Sequence, residues 1–204
     1  MSRQSNIAHP RSYILRWLTM AQRTHRVPPK ALQRLSEWLE HGALPFEDAA
    51  LVLSVFGEGA AQQTRPLVER FLTHKNPYLR EHALSALILD WGLKDHRITC
   101  IQMMQEDPDE DVRRMAATCL GSLDRATHNP ETLQLLINVF QNEAEEKYVR
   151  EMAYLSILDV IAIPWKDRPS AAREWNWATE IDWKLLQALS QKLRIPFLWP
   201  HKRD

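Results

Sequence analysis

The chain has 204 residues, of which 45% are hydrophobic and 25% charged, with a formal net charge of zero. That length supports one domain with a continuous core, and the composition excludes a disordered or low-complexity protein. With only 5 glycines, a sheet built on tight hairpins is disfavoured, and no run reaches the roughly 18 apolar residues that a bilayer span needs.

The N-terminal end comes first. Residues 1–36 carry seven basic groups (Arg3, Arg11, Arg16, Arg23, Arg26, Lys30, Arg34) and no acid, whereas residues 37–165 hold 21 acids and 11 basic groups. A basic, acid-free start is also found in organelle leaders. Trp17, Leu18 and the 31–39 stretch read instead as folded core. The expectation is a first helix whose cationic face lies against the acidic middle of this protein or of a neighbour. Residues 11–25 and 30–41 predict a helical pair separated by Val27-Pro28-Pro29. Its apolar positions are Ile14, Leu15, Trp17 and Leu18, then Leu32, Leu35, Trp38 and Leu39.

The middle of the chain repeats itself. Leu79-Arg80, Val112-Arg113 and Val149-Arg150 align at spacings of 33 and 37 residues, within the range of stacked helical hairpins. Three residues after each arginine stands an alanine (Ala83, Ala116, Ala153), and four further on an aliphatic (Leu87, Leu120, Ile157). At 100° per residue, Val112, Ala116, Cys119, Leu120 and Leu123 share one face, which is the core face. Alanine there lets two helix backbones approach closely. Arg113 lies at the edge of that face, where its guanidinium can bond acidic or carbonyl groups of the next repeat.

Asn76-Pro77 and Asp107-Pro108-Asp109 supply a cap and a first-turn proline. The third repeat offers Asn142-Glu143 and Glu145-Glu146, acids suited to a helix N-terminus. Upstream of each lies a second apolar-periodic segment, in Pro66–Leu72, Ile98–Met104 and Leu133–Phe140, so that two helices make each repeat. An earlier unit around Phe46–Leu72 fits less well, since Glu47 replaces the arginine.

The run from Asp107 to Gly121, with its Asp-Pro-Asp-Glu-Asp-Val-Arg-Arg opening, resembles the bacterial HEAT repeat, especially the short phycobilisome-lyase-like variety. Residues 74–91 and 144–161 keep the apolar-Arg and alanine positions and lose the leading aspartate. The resemblance implies an all-α, HEAT-type right-handed superhelix of about four or five hairpins, with the second helix of each lining a concave surface. Opposite the core, the wheel places Glu81 and Ser85, then Arg114 and Thr118, then Glu151 and Leu155. These are the expected partner-binding residues. The alternative for each is an ordinary solvated helix face.

The expected organisation is one domain over 1–204: basic cap helices in 1–42, HEAT-like repeats in 43–163 and a tryptophan-rich cap in 164–204. Five of the 8 tryptophans (Trp165, Trp175, Trp177, Trp183, Trp199) lie in that last stretch. They read as bulky cover for the last hairpin, the alternative being a recognition hot spot or a stacking platform for single-stranded nucleic acid. Phe197 and Trp199 stand out for docking on the solenoid or on a partner. Ile181, Leu185, Leu186, Leu189 and Leu193 predict a helix over 181–194.

Catalytic signatures are missing. There is no P-loop, dinucleotide glycine pattern or nucleophile elbow. The acids of 107–111 fail as a calcium loop, because Val112 stands where the turn glycine belongs and Thr118 where the bidentate glutamate belongs. The 8 histidines show no metal-binding spacing, and HEAT-type metal hydroxylases carry repeated His-Glu pairs where this chain has only Glu81-His82. Asp90-Trp91 and Asp182-Trp183 are the residues a HEAT-like DNA-repair enzyme would use, but the acidic middle has the wrong sign for phosphate. The reading is a cytoplasmic, non-catalytic scaffold or adaptor for another protein, without cofactor or metal. Cys100 and Cys119 are read as reduced, buried thiols. The alternatives are a bilin-handling subunit, implied by the lyase resemblance, and a nucleic-acid module using the basic N-terminus.

Overall fold

The computed structural model describes residues 10–170 and 175–197. Trp199 of the C-terminal stretch and Arg3 of the basic stretch lie outside them. The described residues form helices and connecting turns with no strand, in two compact units divided between His96 and Arg97.

The first unit contains α1 (Pro10–Thr24), α2 (Pro29–Glu40), α3 (Phe46–Glu58), α4 (Arg65–Glu69) and α5 (Pro77–Ser85). Prolines open α2 and α5, where the missing N–H is one of the donors a first turn leaves unbonded anyway. At α5 the Asn76 side chain also accepts from the Tyr78 amide at 3.0 Å. Helix α3 packs against α1, α2 and α5. A tight 3-10 turn, Arg70–Thr73, ends α4.

Helix α5 departs from its expected course. Beyond Ser85 the chain widens into a π-turn, Ala86–Asp90, with the Trp91 amide bonded to the Ala86 carbonyl at 3.1 Å. Just past this turn Trp91 is buried, and its indole donates to the Phe56 carbonyl at 3.2 Å. The Asp90 carboxylate lies where a β-carbon on Gly57 would project. An uninterrupted 3.6-residue period hides such an insertion.

The second unit contains α6 (Arg97–Glu106), α7 (Glu110–Leu123), α8 (Pro130–Gln141), α9 (Lys147–Val160), α10 (Trp177–Glu180) and α11 (Trp183–Leu193). Helices α6 and α7 form one hairpin and α8 and α9 the next, with α7 against α9 and α11 against α8. The acids of 107–111 work as caps: Asp109 Oδ1 accepts from the Asp111 amide at 3.1 Å, and Asp107 Oδ1 from the Asp109 amide at 3.0 Å.

The repeat positions take their expected places. Ala83, Ala116 and Ala153 are fully buried, as are Leu87, Leu120 and Ile157. Between α7 and α9 the approach is closer still, because a β-carbon on Gly121 would come within 2.6 Å of Ser156 Cβ.

The three repeat arginines share one task. Arg80 donates to the His74 carbonyl at 2.9 Å, Arg113 to the Asp107 carbonyl at 2.9 Å and Arg150 to the Phe140 carbonyl at 2.8 Å. Each therefore ties its helix to the end of the preceding helix of its own hairpin, where the last carbonyls have no intrahelical partner. The first two reach back six residues and the third ten, matching the four extra residues in the second spacing. Arg113 also forks onto the next hairpin, with Nη2 2.7 Å and Nε 3.0 Å from the Glu145 carboxylate. Glu145, expected as a helix-end acid, is instead the counter-charge that couples the two hairpins.

Both members of that pair are largely buried, at 16% and 11% side-chain exposure. Arg113→Ala leaves a carboxylate and a carbonyl without their donor, and should lower unfolding free energy by about 2–3 kcal/mol in urea titration. Glu145→Gln, which keeps an acceptor, should cost about half as much.

Candidate interaction surface

Helices α3 and α5 run side by side. Their N-terminal ends meet where Phe46 and Tyr78 pack edge to face at 6.1 Å, and their C-terminal ends meet where Asp90 lies on Gly57. Between them Tyr78 stands edge-on to His82 at 4.5 Å, and His82 Nδ1 lies 3.1 Å from Ser54 Oγ. Ser54 Oγ is also within hydrogen-bond distance of the Ala50 carbonyl, at 3.2 Å. Burial holds the His82 imidazole below its ordinary value, which favours the neutral ring.

The outward residues of α5 follow helical spacing: Tyr78, Glu81, His82 and Ser85. The expected pair Glu81 and Ser85 is therefore part of a wider face, both half-buried, with exposed Tyr78 at one end and exposed Leu89 beyond the other. The sequence reading passed over Tyr78, and treated His82 only as half of a reversed His-Glu pair. The i, i+3, i+4, i+7 spacing from Tyr78 was the available signal.

At the far end, Asp90 faces Glu58. Burial against α3 and the Glu58 charge raise its carboxyl to about 6, although the residue as a whole is exposed. Asp90 closes a π-turn and Glu58 closes α3. Both acids thus sit at the negative ends of helix dipoles, which adds to the repulsion.

In the second unit the expected residues divide. Arg114 and Thr118 are half-buried on α7, Arg114 Nε 3.2 Å from Asp111 Oδ1 and Thr118 Oγ1 bonded back to the Arg114 carbonyl at 3.1 Å. On α9, Glu151 is 4% and Leu155 7% exposed. The Trp177 indole donates to Glu151 Oε1 at 2.8 Å, stacks on Phe140 at 5.3 Å and lies 4.6 Å from the Arg150 guanidinium. Placing Glu151 and Leu155 on an open face is thus corrected: that part of α9 is buried, with Glu151 under the chain's own Trp177. The helical wheel shows which side of α9 faces away from the repeat core, and is blind to a segment arriving from residue 177.

The remaining C-terminal aromatics join this cover. Trp175 is buried against Tyr154, whose hydroxyl accepts from the Asp182 amide at 2.9 Å, and Trp183 packs on Phe140 at 5.7 Å. Asp182 caps α11 through the Leu185 amide at 2.9 Å. Trp165 is the exposed exception at 65%, with the Arg168 guanidinium over its ring. Phe197 is half-buried.

Residues 64–158 match the family model for HEAT repeats. That segment, a little under half of the chain, is built of HEAT repeats. No curated protein and no solved structure matches the chain. The helical hairpins from α4 through α9 are its HEAT repeats, and its all-α architecture is of the HEAT type. No helix among the described residues is long and apolar enough to cross a membrane.

The Asp90 carboxyl supplies a pH test. Its folded value of about 6 stands above the ordinary 3.8, so the folded state holds the proton more tightly. Stability from this group is therefore present at low pH and lost as pH rises between those two values. Asp90→Asn should raise the unfolding free energy at pH 7 by up to about 1 kcal/mol once solvent screening is allowed for, read as a higher melting temperature. At pH 3.5 the variant and the parent should melt alike.

Proposed function

We propose that this protein is a non-catalytic scaffold or adaptor that binds another protein on the outward faces of its repeat helices. The observation that carries the reading is the α5 face: Tyr78, Glu81, His82 and Ser85 are presented on a helix fixed by the Asn76 cap and the Arg80 tie. A preformed face of aromatic and polar side chains binds with little ordering cost, and its charges set orientation and encounter rate. Arg114 and Thr118 on α7 offer a second such face. The buried thiols Cys100 and Cys119, which form no disulfide, support a reducing compartment such as the cytoplasm.

The test is capture from native lysate by the tagged full chain, with and without nuclease, using Glu81→Lys and Arg114→Glu as separate variants. A stoichiometric protein that survives nuclease and drops at least tenfold in one of the two variants is the expected result. Recovery of nucleic acid alone, or of nothing stoichiometric, counts against the scaffold reading.

A further inference from the structure

The α3/α5 face of the first unit carries enough chemistry to specify its partner further, an inference that rests on the scaffold reading above. Three of the exposed large apolar side chains, Phe46, Tyr78 and Leu89, fall on these two helices and the π-turn, at 46%, 42% and 38% exposure. Thirteen residues of α3 give the face a length of about 20 Å.

The charges that α3 and the π-turn end of α5 leave unpaired have one sign. Helix α3 contains Glu47, Asp48 and Glu58 and no lysine or arginine. Helix α5 with its π-turn adds Glu81 and Asp90, and its one arginine, Arg80, is buried on loop carbonyls. Asp48 at the aromatic end is paired with Arg11 at 2.7 Å. Glu58 and Asp90 at the other end have no cationic partner among the described residues, and they repel one another at two helix C-termini. A polyanion is excluded by this sign. An arginine side chain meets both needs of the face, since its guanidinium stacks on tyrosine or phenylalanine and forks onto carboxylates.

We propose that the face between Phe46–Tyr78 and Glu58–Asp90 docks a basic, arginine-bearing segment of a partner protein. An arginine sits at the Glu58–Asp90 end, and an apolar or second arginine side chain lies on the aromatic pair. Closing the Glu58–Asp90 repulsion with a cation converts an unfavourable feature of the free protein into binding energy.

The probe is a fluorescent dodecapeptide with four arginines interleaved with leucine and serine, compared with its Arg→Gln counterpart, on the full chain. The arginine peptide is expected to bind, with affinity falling at least fivefold between 50 and 300 mM salt. Glu58→Gln with Asp90→Asn, and separately Phe46→Ser with Tyr78→Ser, are expected to weaken it fivefold or more. Glu106→Gln with Glu110→Gln, which removes the same charge from exposed positions of the second unit, should leave it within twofold. Thermal melts establish that each variant is folded, and the Asp90 change itself favours the fold. Equal binding of the glutamine peptide, equal loss in the Glu106/Glu110 control, no binding at millimolar peptide, or self-association in place of peptide binding would each overturn the proposal. A stoichiometric lysate partner lost in Arg114→Glu but kept in the Glu58/Asp90 variant sinks this proposal and spares the scaffold reading. Absence of any stoichiometric partner sinks the scaffold reading itself.

Discussion

The rest of the structure depends on how the repeat arginines fasten one helix of a hairpin to the end of the other. A helix C-terminus leaves carbonyls without donors, and hairpins this short have few loop residues to satisfy them. Arg80, Arg113 and Arg150 answer that need from the same register position, aligned by an alanine three residues later that keeps the backbones close. Once the guanidinium is seated, the rotation of the second helix is set, and so is the set of side chains it turns outward. The outward face is in this sense a by-product of backbone hydrogen bonding.

Much of this was legible from sequence because it is local. Asn76 and Asp109 before the helices and prolines in first turns act over a few bonds, and their geometry follows from the residue type; the 33-residue spacing shows because the same local pattern recurs. The arginine was recognised as a bridging group, but its carbonyl partners proved to lie within its own hairpin. The acid came from the next one, as expected, through Glu145.

What sequence could not reveal involves residues far apart in the chain or a change of helical period. The π-turn at 86–90 adds one residue without any breaker to mark it. The burial of Glu151 and Leu155 is of the first kind, because the indole that covers Glu151 is 26 residues downstream. Reading a helical wheel assumes that whatever faces away from the core faces water. That assumption holds on α5, where Tyr78 is exposed, and fails on α9.

The tryptophan cover on the last hairpin also bears on how many units can be stacked. A further hairpin laid over the Glu151 side of α9 would have to evict Trp177 from Glu151, Phe140 and Arg150 together. An indole engaged at three points is slow to leave. A second copy approaching that side of α9 would meet the same indole.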